Sequence, residues 1–265
     1  MRSNSRGLAE YFWPASNARG RVLLQHGFAE YAQRYERYYA KFVGRLNSAG
    51  FDVHAFDLPG HGHSPGERRA VDIAEATKAH LAARKEIPQD KPLILFGHSL
   101  GGGITAASVT EDPSGVAGVV LSGPALIRLP GTLANGVARL GQRYPSFPLK
   151  NLAPKGMTRS QEILQAVGED PLMSRGKMPL GVIGSLCACN QNIWRNTANW
   201  TVPTLLVHGS KDIYTNPKDT KRFYKAIQSN DKTLRLIDGG YHETLNDPGG
   251  DAIADEIVEW MQKHV

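Results

Sequence analysis

Gly97-His98-Ser99-Leu100-Gly101 is the pentapeptide in this chain whose residue types and spacing could do covalent chemistry. An apolar run, Pro92 to Phe96, precedes it and reads as a buried strand. A segment of small residues that can run as a helix follows. A serine on a sharp strand-to-helix turn is held above the sheet edge, with the helix N-terminus aimed at it. The partial positive charge there favours a developing oxyanion. Side chains at the flanking positions would strike the neighbouring strand or helix, which explains a glycine on each side.

A serine hydroxyl is a weak nucleophile until a positioned base takes its proton, and the base needs an orienting acid. In a strand–helix alternation of this kind the three follow in the order Ser, acid, His, each on a loop after a strand. His242, in Gly239-Gly240-Tyr241-His242-Glu243, stands after the last strand and is the expected base. Asp212, in His208-Gly209-Ser210-Lys211-Asp212, follows the preceding strand and is the expected acid. Asp238 and Asp247 flank the histidine too closely to reach its far nitrogen. The other loop where an acid could stand reads Ser122-Gly123-Pro124 and offers no carboxylate. Two backbone N–H groups should stabilise the oxyanion, that of Leu100 after the nucleophile and that of Phe28 after an early strand.

The elements that must position these residues alternate. Strands are expected at 8–13, 21–25, 51–56, 92–96, 116–121, 202–207 and 233–237. Helices are expected where Tyr35, Tyr39, Phe42, Val43 and Leu46 recur, at about 73–86, after Ser99, at about 217–227, and at about 250–264. This rhythm argues for a mostly parallel central sheet with helices on both faces, and the Gly-x-Ser-x-Gly turn between strand and helix points to the α/β-hydrolase version of it. Seven strands are expected where that fold usually has eight. Between 125 and about 195 the rhythm breaks into short apolar clusters with Pro and Gly and no strand pattern. We read 1–124 and 196–265 as the core and 125–195 as an inserted helical lid.

The 265 residues suffice for one such domain with its insertion. No apolar run is long enough to span a bilayer, and Met1 to Glu10 lacks the apolar centre of a signal peptide. Two cysteines, Cys187 and Cys189, give no disulfide framework, so a cytoplasmic setting is expected. Nine lysines and arginines fall between 125 and 200 against three acids, which accounts for the net charge of +6. The basic residues do not interleave with aromatics as in a nucleic-acid-binding face, and nucleic acid is not an expected partner.

The segments HGFAEYAQRY (26–35), DLPGHGHS (57–64), GHSLGGG (97–103), GSKD (209–212) and GGYHETLND (239–247) resemble the monoglyceride lipase and lysophospholipase group of the α/β-hydrolases. The resemblance covers nearly the whole chain, with the lid loosely matched. It implies that Ser99, Asp212 and His242 are catalytic, that a small lipid ester is the substrate, and that no metal or organic cofactor takes part. That group often reads His-Gly-x-Gly-Glu-His where this chain has Ala29 and Tyr31 in place of the second Gly and the His. Monoacylglycerol cleavage to glycerol and fatty acid is the expected activity. A general carboxylesterase, a lysophospholipase, an aminopeptidase of the same fold and a catalytically silent binding protein are the alternatives. The acid-poor lid argues against the aminopeptidase, and the full triad against the silent protein. Dehalogenases and epoxide hydrolases of this fold carry Asp where Ser99 stands.

Other residues have simpler readings. His61 and His63 have no third ligand at metal spacing and read as turn residues. Glu30 and Arg34 read as a salt bridge bracing the oxyanion loop. Cys187 and Cys189 read as buried structural cysteines rather than reactive thiols of an acyl pocket. The basic lid has two readings: a solvated face, or a surface on which Leu126, Ile127, Leu129 and Leu133 dip into a membrane or lipid droplet while Lys and Arg meet anionic headgroups.

Overall fold

The computed structural model of the protein describes residues 2–3, 6–151 and 154–265. In chain order the first half runs β1 (Arg2–Ser3), β2 (Ala9–Trp13), β3 (Gly20–Gln25), α1 (Arg34–Arg37), α2 (Phe42–Ser48), β4 (Phe51–Phe56), α3 (Ile73–Glu86), β5 (Leu93–His98), α4 (Leu100–Glu111) and β6 (Gly118–Ser122). An excursion follows with α5 (Gly131–Arg143), β7 (Pro148–Asn151), α6 (Gln161–Glu169), β8 (Lys177–Pro179) and α7 (Leu180–Arg195). The chain then returns through β9 (Thr204–Gly209), α8 (Pro217–Ala226), β10 (Lys232–Ile237) and α9 (Gly250–Gln262).

The main sheet has eight strands in the order β1-β2-β4-β3-β5-β6-β9-β10. From β4 through β10 all neighbours are parallel, while β2 pairs antiparallel with β4 and β1 antiparallel with β2. The sequence reading counted seven strands because the eighth is only Arg2–Ser3, two polar residues with no alternation to detect. The excursion also contains what that reading lacked, a short antiparallel ribbon of β7 on β8 with an irregular register. Its strands are too short, and too rich in Pro and Lys, to show a period of two.

Parallel strands covered on both faces read as continuous apolar runs, and β5 shows why. Its Leu93 and Leu95 enter one apolar layer with α3 and α4, while Ile94 and Phe96 enter the other with α2 and α9. Each such side chain, fully buried, stabilises the fold by roughly 1.5–3 kcal/mol. The chain passes from β3 to β4 on one side, then crosses β3 to reach β5 on the other. At this reversal the loops leaving β3 and β5 diverge and leave a crevice at the strands' carboxyl ends, the usual ligand position in such sheets.

The apolar period from Tyr35 to Leu46 predicts one helix, but the structure breaks it into α1 and α2. Tyr39, Ala40 and Lys41 between them are left-handed, with φ of 53°, 55° and 50°. That conformation costs roughly 1–2 kcal/mol per non-glycine residue. Tertiary bonds offset it. Tyr39 N–H donates to Asn246 Oδ1 at 2.5 Å, and its hydroxyl donates to Glu30 Oε2 at 2.8 Å. The ring of Tyr39 also stacks on Tyr35 at 4.1 Å.

Glu30 belongs to a fully buried ionic cluster. Arg34 Nη1 donates to Glu30 Oε2 at 2.8 Å and to Glu243 Oε1 at 3.2 Å. Glu30 Oε1 accepts from the N–H of Gly27 at 2.6 Å and from the Tyr35 hydroxyl at 3.0 Å. Asn246 Nδ2 donates to Glu243 Oε2 at 2.6 Å. Burial opposes the Arg34 charge, yet Glu243, Tyr39 and Glu30 hold its pKa well above the ordinary value. The salt bridge expected between Glu30 and Arg34 is therefore present, and it reaches further, to the loop after β10. Arg34→Met leaves two carboxylates unpaired in the interior and should cost about 3–5 kcal/mol of stability, read from urea denaturation. Unchanged stability would mean the cluster is not a structural tie.

Candidate active site

Ser99 joins β5 to α4 with φ 53° and ψ −118°, a sparsely populated conformation that costs about 1–3 kcal/mol. Hydrogen bonds on both sides hold it. Ser99 N–H donates to Ser122 O at 3.0 Å, and Ser99 O accepts from the N–H of Ala125 at 2.9 Å. The flanking glycines are steric requirements. A Cβ at Gly97 would lie 2.5 Å from Thr105 Oγ1, and one at Gly101 would lie 2.3 Å from the carbonyl oxygen of Gln25 in β3.

The structure brings all three side chains singled out in the sequence together. His242 Nε2 lies 2.8 Å from Ser99 Oγ, and His242 Nδ1 lies 2.6 Å from Asp212 Oδ2. The loop holding His242 is clamped by two acids, Asp247, which was set aside in the sequence, and Glu243, the residue after the histidine. Asp247 accepts from the N–H of Tyr241 at 3.0 Å and from Arg159 Nε at 2.9 Å. Glu243 sits in the Arg34 cluster.

Asp212 is buried and fully used. Its Oδ1 accepts from the N–H groups of Tyr214 at 2.8 Å and Thr215 at 3.1 Å. Its Oδ2 accepts from the Thr215 hydroxyl at 2.7 Å and lies 3.0 Å from His208 Nε2. Burial opposes its charge, but His242 and His208 outweigh that and hold the carboxyl far below the usual range. Burial likewise opposes a charged His242, yet Asp212, then Glu243 and Glu30, raise its pKa above the ordinary 6.5. The neighbouring His98, with its ring 4.9 Å from that of His242, is pushed down to about 4, chiefly by burial and then by His242. Two adjacent imidazoles thus have opposite tendencies because only one has a carboxylate partner.

Phe28 and Leu100 both line the cavity that opens over Ser99. The loop carrying Phe28 is packed against the serine, since a Cβ at Gly27 would lie 3.0 Å from Ser99 Cβ. The N–H of Gly27 is committed to Glu30, and the next N–H is that of Phe28. Leu100 opens α4, where the N–H groups of the first turn have no carbonyl one turn back. Ala29 has φ 67°, so the glycine often found at this place in the resembled group is a conformational choice. Tyr31, which replaces that group's histidine, donates its hydroxyl to Asp170 in the excursion at 2.6 Å.

The cavity holds about 510 Å³ and is walled mainly by apolar side chains, among them Leu126, Ile127, Met178, Ile183 and Leu186. One expectation changes in part here. Leu126 is buried and lines this cavity with Ile127, so neither is on an outer face, whereas Leu129 and Leu133 are exposed, at 36% and 53%. Cys187 and Cys189 line other recesses, and burial raises both thiols, Cys189 to about 11, in keeping with the structural role expected of them. His61 is buried in its turn, with Nδ1 2.9 Å from Pro59 O and its ring against Phe28. Sequence reasoning missed His208 and Thr215 as partners of Asp212. The spacing of His208 four residues before Asp212 was visible, but its pointing to the acid depends on the turn after β9.

The sequence model of the serine aminopeptidase family, S33, matches residues 16–249. The chain belongs to this family of α/β-hydrolases. It is 33% identical to the monoacylglycerol lipase of Mycolicibacterium smegmatis, over 95% of this chain and 91% of that protein. It is 27% identical to the human monoglyceride lipase, over 88% of this chain and 78% of that protein. Among solved structures, the monoacylglycerol lipase of Paleococcus ferrophilus superposes with a TM-score of 0.87 at 33% identity, covering 97% of this chain and 99% of that one.

In NMR titration the His242 ring should ionise above the ordinary 6.5, since the anionic form of Asp212 stabilises the imidazolium. Asp212→Asn removes that charge and should move the midpoint downward. An unchanged midpoint would show that the carboxylate is not the cause.

Proposed function

We propose that this protein is a serine ester hydrolase that cleaves monoacylglycerols to glycerol and fatty acid through an acyl-enzyme. The observation that carries this reading is the continuous contact Asp212–His242–Ser99 at the mouth of an apolar cavity. Relatives that carry the name monoacylglycerol lipase, over nearly the full length of both chains, support the substrate class.

In this mechanism His242 Nε2 takes the Ser99 proton as Oγ attacks the ester carbonyl. Asp212 holds the ring and stabilises the imidazolium. The tetrahedral oxyanion rests on the N–H groups of Phe28 and Leu100. His242 then gives its proton to the glycerol oxygen as that bond breaks. Water, deprotonated by His242, releases the fatty acid and restores the serine. Each proton and bond is accounted for by these groups and water, and no metal or organic cofactor enters a step.

An aminopeptidase reading follows from the family's description. It requires carboxylates free to hold a substrate amine. Those lining this cavity are engaged: Glu30 and Glu243 with Arg34, and Asp219 with Arg222 at 2.8 Å. This favours the ester. The deciding measurement is hydrolysis of monoacylglycerols of graded chain length beside p-nitrophenyl esters, diacylglycerol and an aminoacyl amide. Faster turnover of the amide would overturn the lipase reading. Ser99→Ala should lower turnover by about 10⁶, and retention of most activity would mean the nucleophile is another group.

We further take residues 125–195 as a lid over a core formed by 1–124 and 196–265. On it Leu133, Leu140, Phe147 and Leu149 are half exposed, beside Arg139 and Arg143. Among the described residues no helix is long and apolar enough to cross a membrane. The exposed apolar residues beside basic ones support peripheral contact with membranes or lipid droplets, and we take the protein to make that contact from the cytoplasm. Binding to vesicles should rise with anionic lipid, fall with salt and be weakened by Leu133→Glu with Leu140→Glu. Binding indifferent to all three would refute this role of the lid.

A further inference from the structure

Two imidazoles share one oxygen of Asp212. His242 Nδ1 lies 2.6 Å from Oδ2, and His208 Nε2 lies 3.0 Å from the same atom. His208 stands near the end of β9 and is fully buried. A bare ring nitrogen facing a carboxylate oxygen at 3.0 Å would set lone pair against lone pair, so Nε2 carries a proton and donates it. The other nitrogen agrees with this. His208 Nδ1 lies 2.8 Å from the hydroxyl of Thr220, which is buried in α8. That hydroxyl can donate to Nδ1, and the bond made by one ring nitrogen sets where the ring proton sits.

The remaining donors to Asp212 do not duplicate this one. The N–H groups of Tyr214 and Thr215 go to Oδ1, at 2.8 and 3.1 Å, not to the oxygen that faces His242. The Thr215 hydroxyl has one proton and two acceptors, Oδ2 at 2.7 Å and Gly123 O at 3.0 Å, so it serves one at a time. A chain of contacts therefore runs from α8 to the reacting hydroxyl through Thr220, His208, Asp212, His242 and Ser99. Each donor to a carboxylate makes it less basic. A second ring on Oδ2 thus fixes the carboxylate and moderates its pull on the His242 proton. A general base works best with its pKa near the operating pH, and one held too firmly in its charged form cannot take a proton from serine.

We propose that His208 is a positioning residue of this reaction, donating from Nε2 to the oxygen of Asp212 that holds His242, with Thr220 fixing its ring. The inference rests on the ester-hydrolase reading and sets two side chains behind Asp212. His208 is fully buried and acts through Asp212 rather than on the ester. The ionisable groups facing His242 are Asp212 and Tyr214 on the loop after β9, Glu30 on the loop after β3, His98 at the end of β5 and the adjacent Glu243. Arg34 lies behind Glu30 and Glu243. A substitution at 208 alters none of these groups, so a shift of the His242 midpoint reports on the shared carboxylate.

The test follows His242 by NMR titration, and hydrolysis of a p-nitrophenyl ester across pH, in the full chain and in its variants His208→Leu and His208→Gln. In His208→Leu the carboxylate loses a donor. The His242 midpoint should rise by about one pH unit, and kcat at the pH optimum should fall about 10- to 100-fold with KM little changed. His208→Gln carries a side-chain amide that can donate to the same oxygen and should bring the midpoint back towards that of the wild type. A midpoint that stays or falls in His208→Leu, or one as high in His208→Gln as in His208→Leu, would overturn the proposal. If the leucine variant does not fold, ring-nitrogen NMR of the wild type decides: a proton on His208 Nε2 supports the donation, and a bare Nε2 rules it out. The NMR readouts need no turnover. An upward shift in His208→Leu of a protein that hydrolyses no ester would sink the esterase reading and leave the shared carboxylate standing.

Discussion

One buried guanidinium carries the geometry of this protein. Arg34 lies between Glu30 and Glu243 with almost no access to water. Through Glu30 it holds the N–H of Gly27, and so the loop in which Phe28 follows. Through Glu243 it holds the residue next to His242. Two loops that come from opposite ends of the chain are thus set against each other by a single charge. Two carboxylates around one cation leave the cluster with a negative balance, and Glu243 and Glu30 both favour the imidazolium of His242. The same contacts that fix position therefore also help raise the pKa of His242.

Around that tie the site is assembled by a reversal in the sheet. Strands β3 and β5 are neighbours although β4 lies between them in sequence. Their carboxyl ends deliver the loop of Gly27 and Phe28 and the turn of Ser99 side by side. Several backbone positions here are strained, at Ser99, at Ala29 and along Tyr39 to Lys41. Each is held by contacts from elsewhere: Ser122 and Ala125 at the serine, Ser174 at Ala29, Asn246 at Tyr39. Strain of this kind persists only where the surroundings over-determine it, and here it lies at Ser99 and around the buried cluster of Glu30.

The excursion after β6 shapes what may enter. It supplies Leu126, Ile127, Met178 and Ile183 to the cavity wall and Arg175 to its edge. It is fastened to the core by Tyr31 on Asp170 and by Arg159 on Asp247. The second of these contacts also clamps the histidine loop, so the excursion and the loop that carries His242 share Asp247. Apolar residues of the excursion divide between its inner and outer faces, which a run of leucines and isoleucines alone does not reveal.

Much of the fold was legible in the sequence because it rests on local rules. Continuous apolar runs gave the parallel strands, and the 3.6-residue period gave α3, α8 and α9 nearly to the residue. Glycines around Ser99 marked a turn that tolerates no side chain, and chain order pointed to Asp212 and His242. What stayed hidden depends on contacts distant in sequence. The helix expected from Tyr35 to Leu46 was broken by bonds to Glu30 and Asn246. The eighth strand was two residues long, and the ribbon of β7 and β8 had no period to read. His208 and Thr215 became partners of Asp212 only through the turn after β9. By itself the sequence determined the elements, their order and the residues able to do the chemistry, since periodicity and steric need are local. Tertiary structure alone decided which charges are paired, which imidazoles share the carboxylate of Asp212 and which apolar face lines the cavity, because burial and distance between remote residues exist only once the chain has folded.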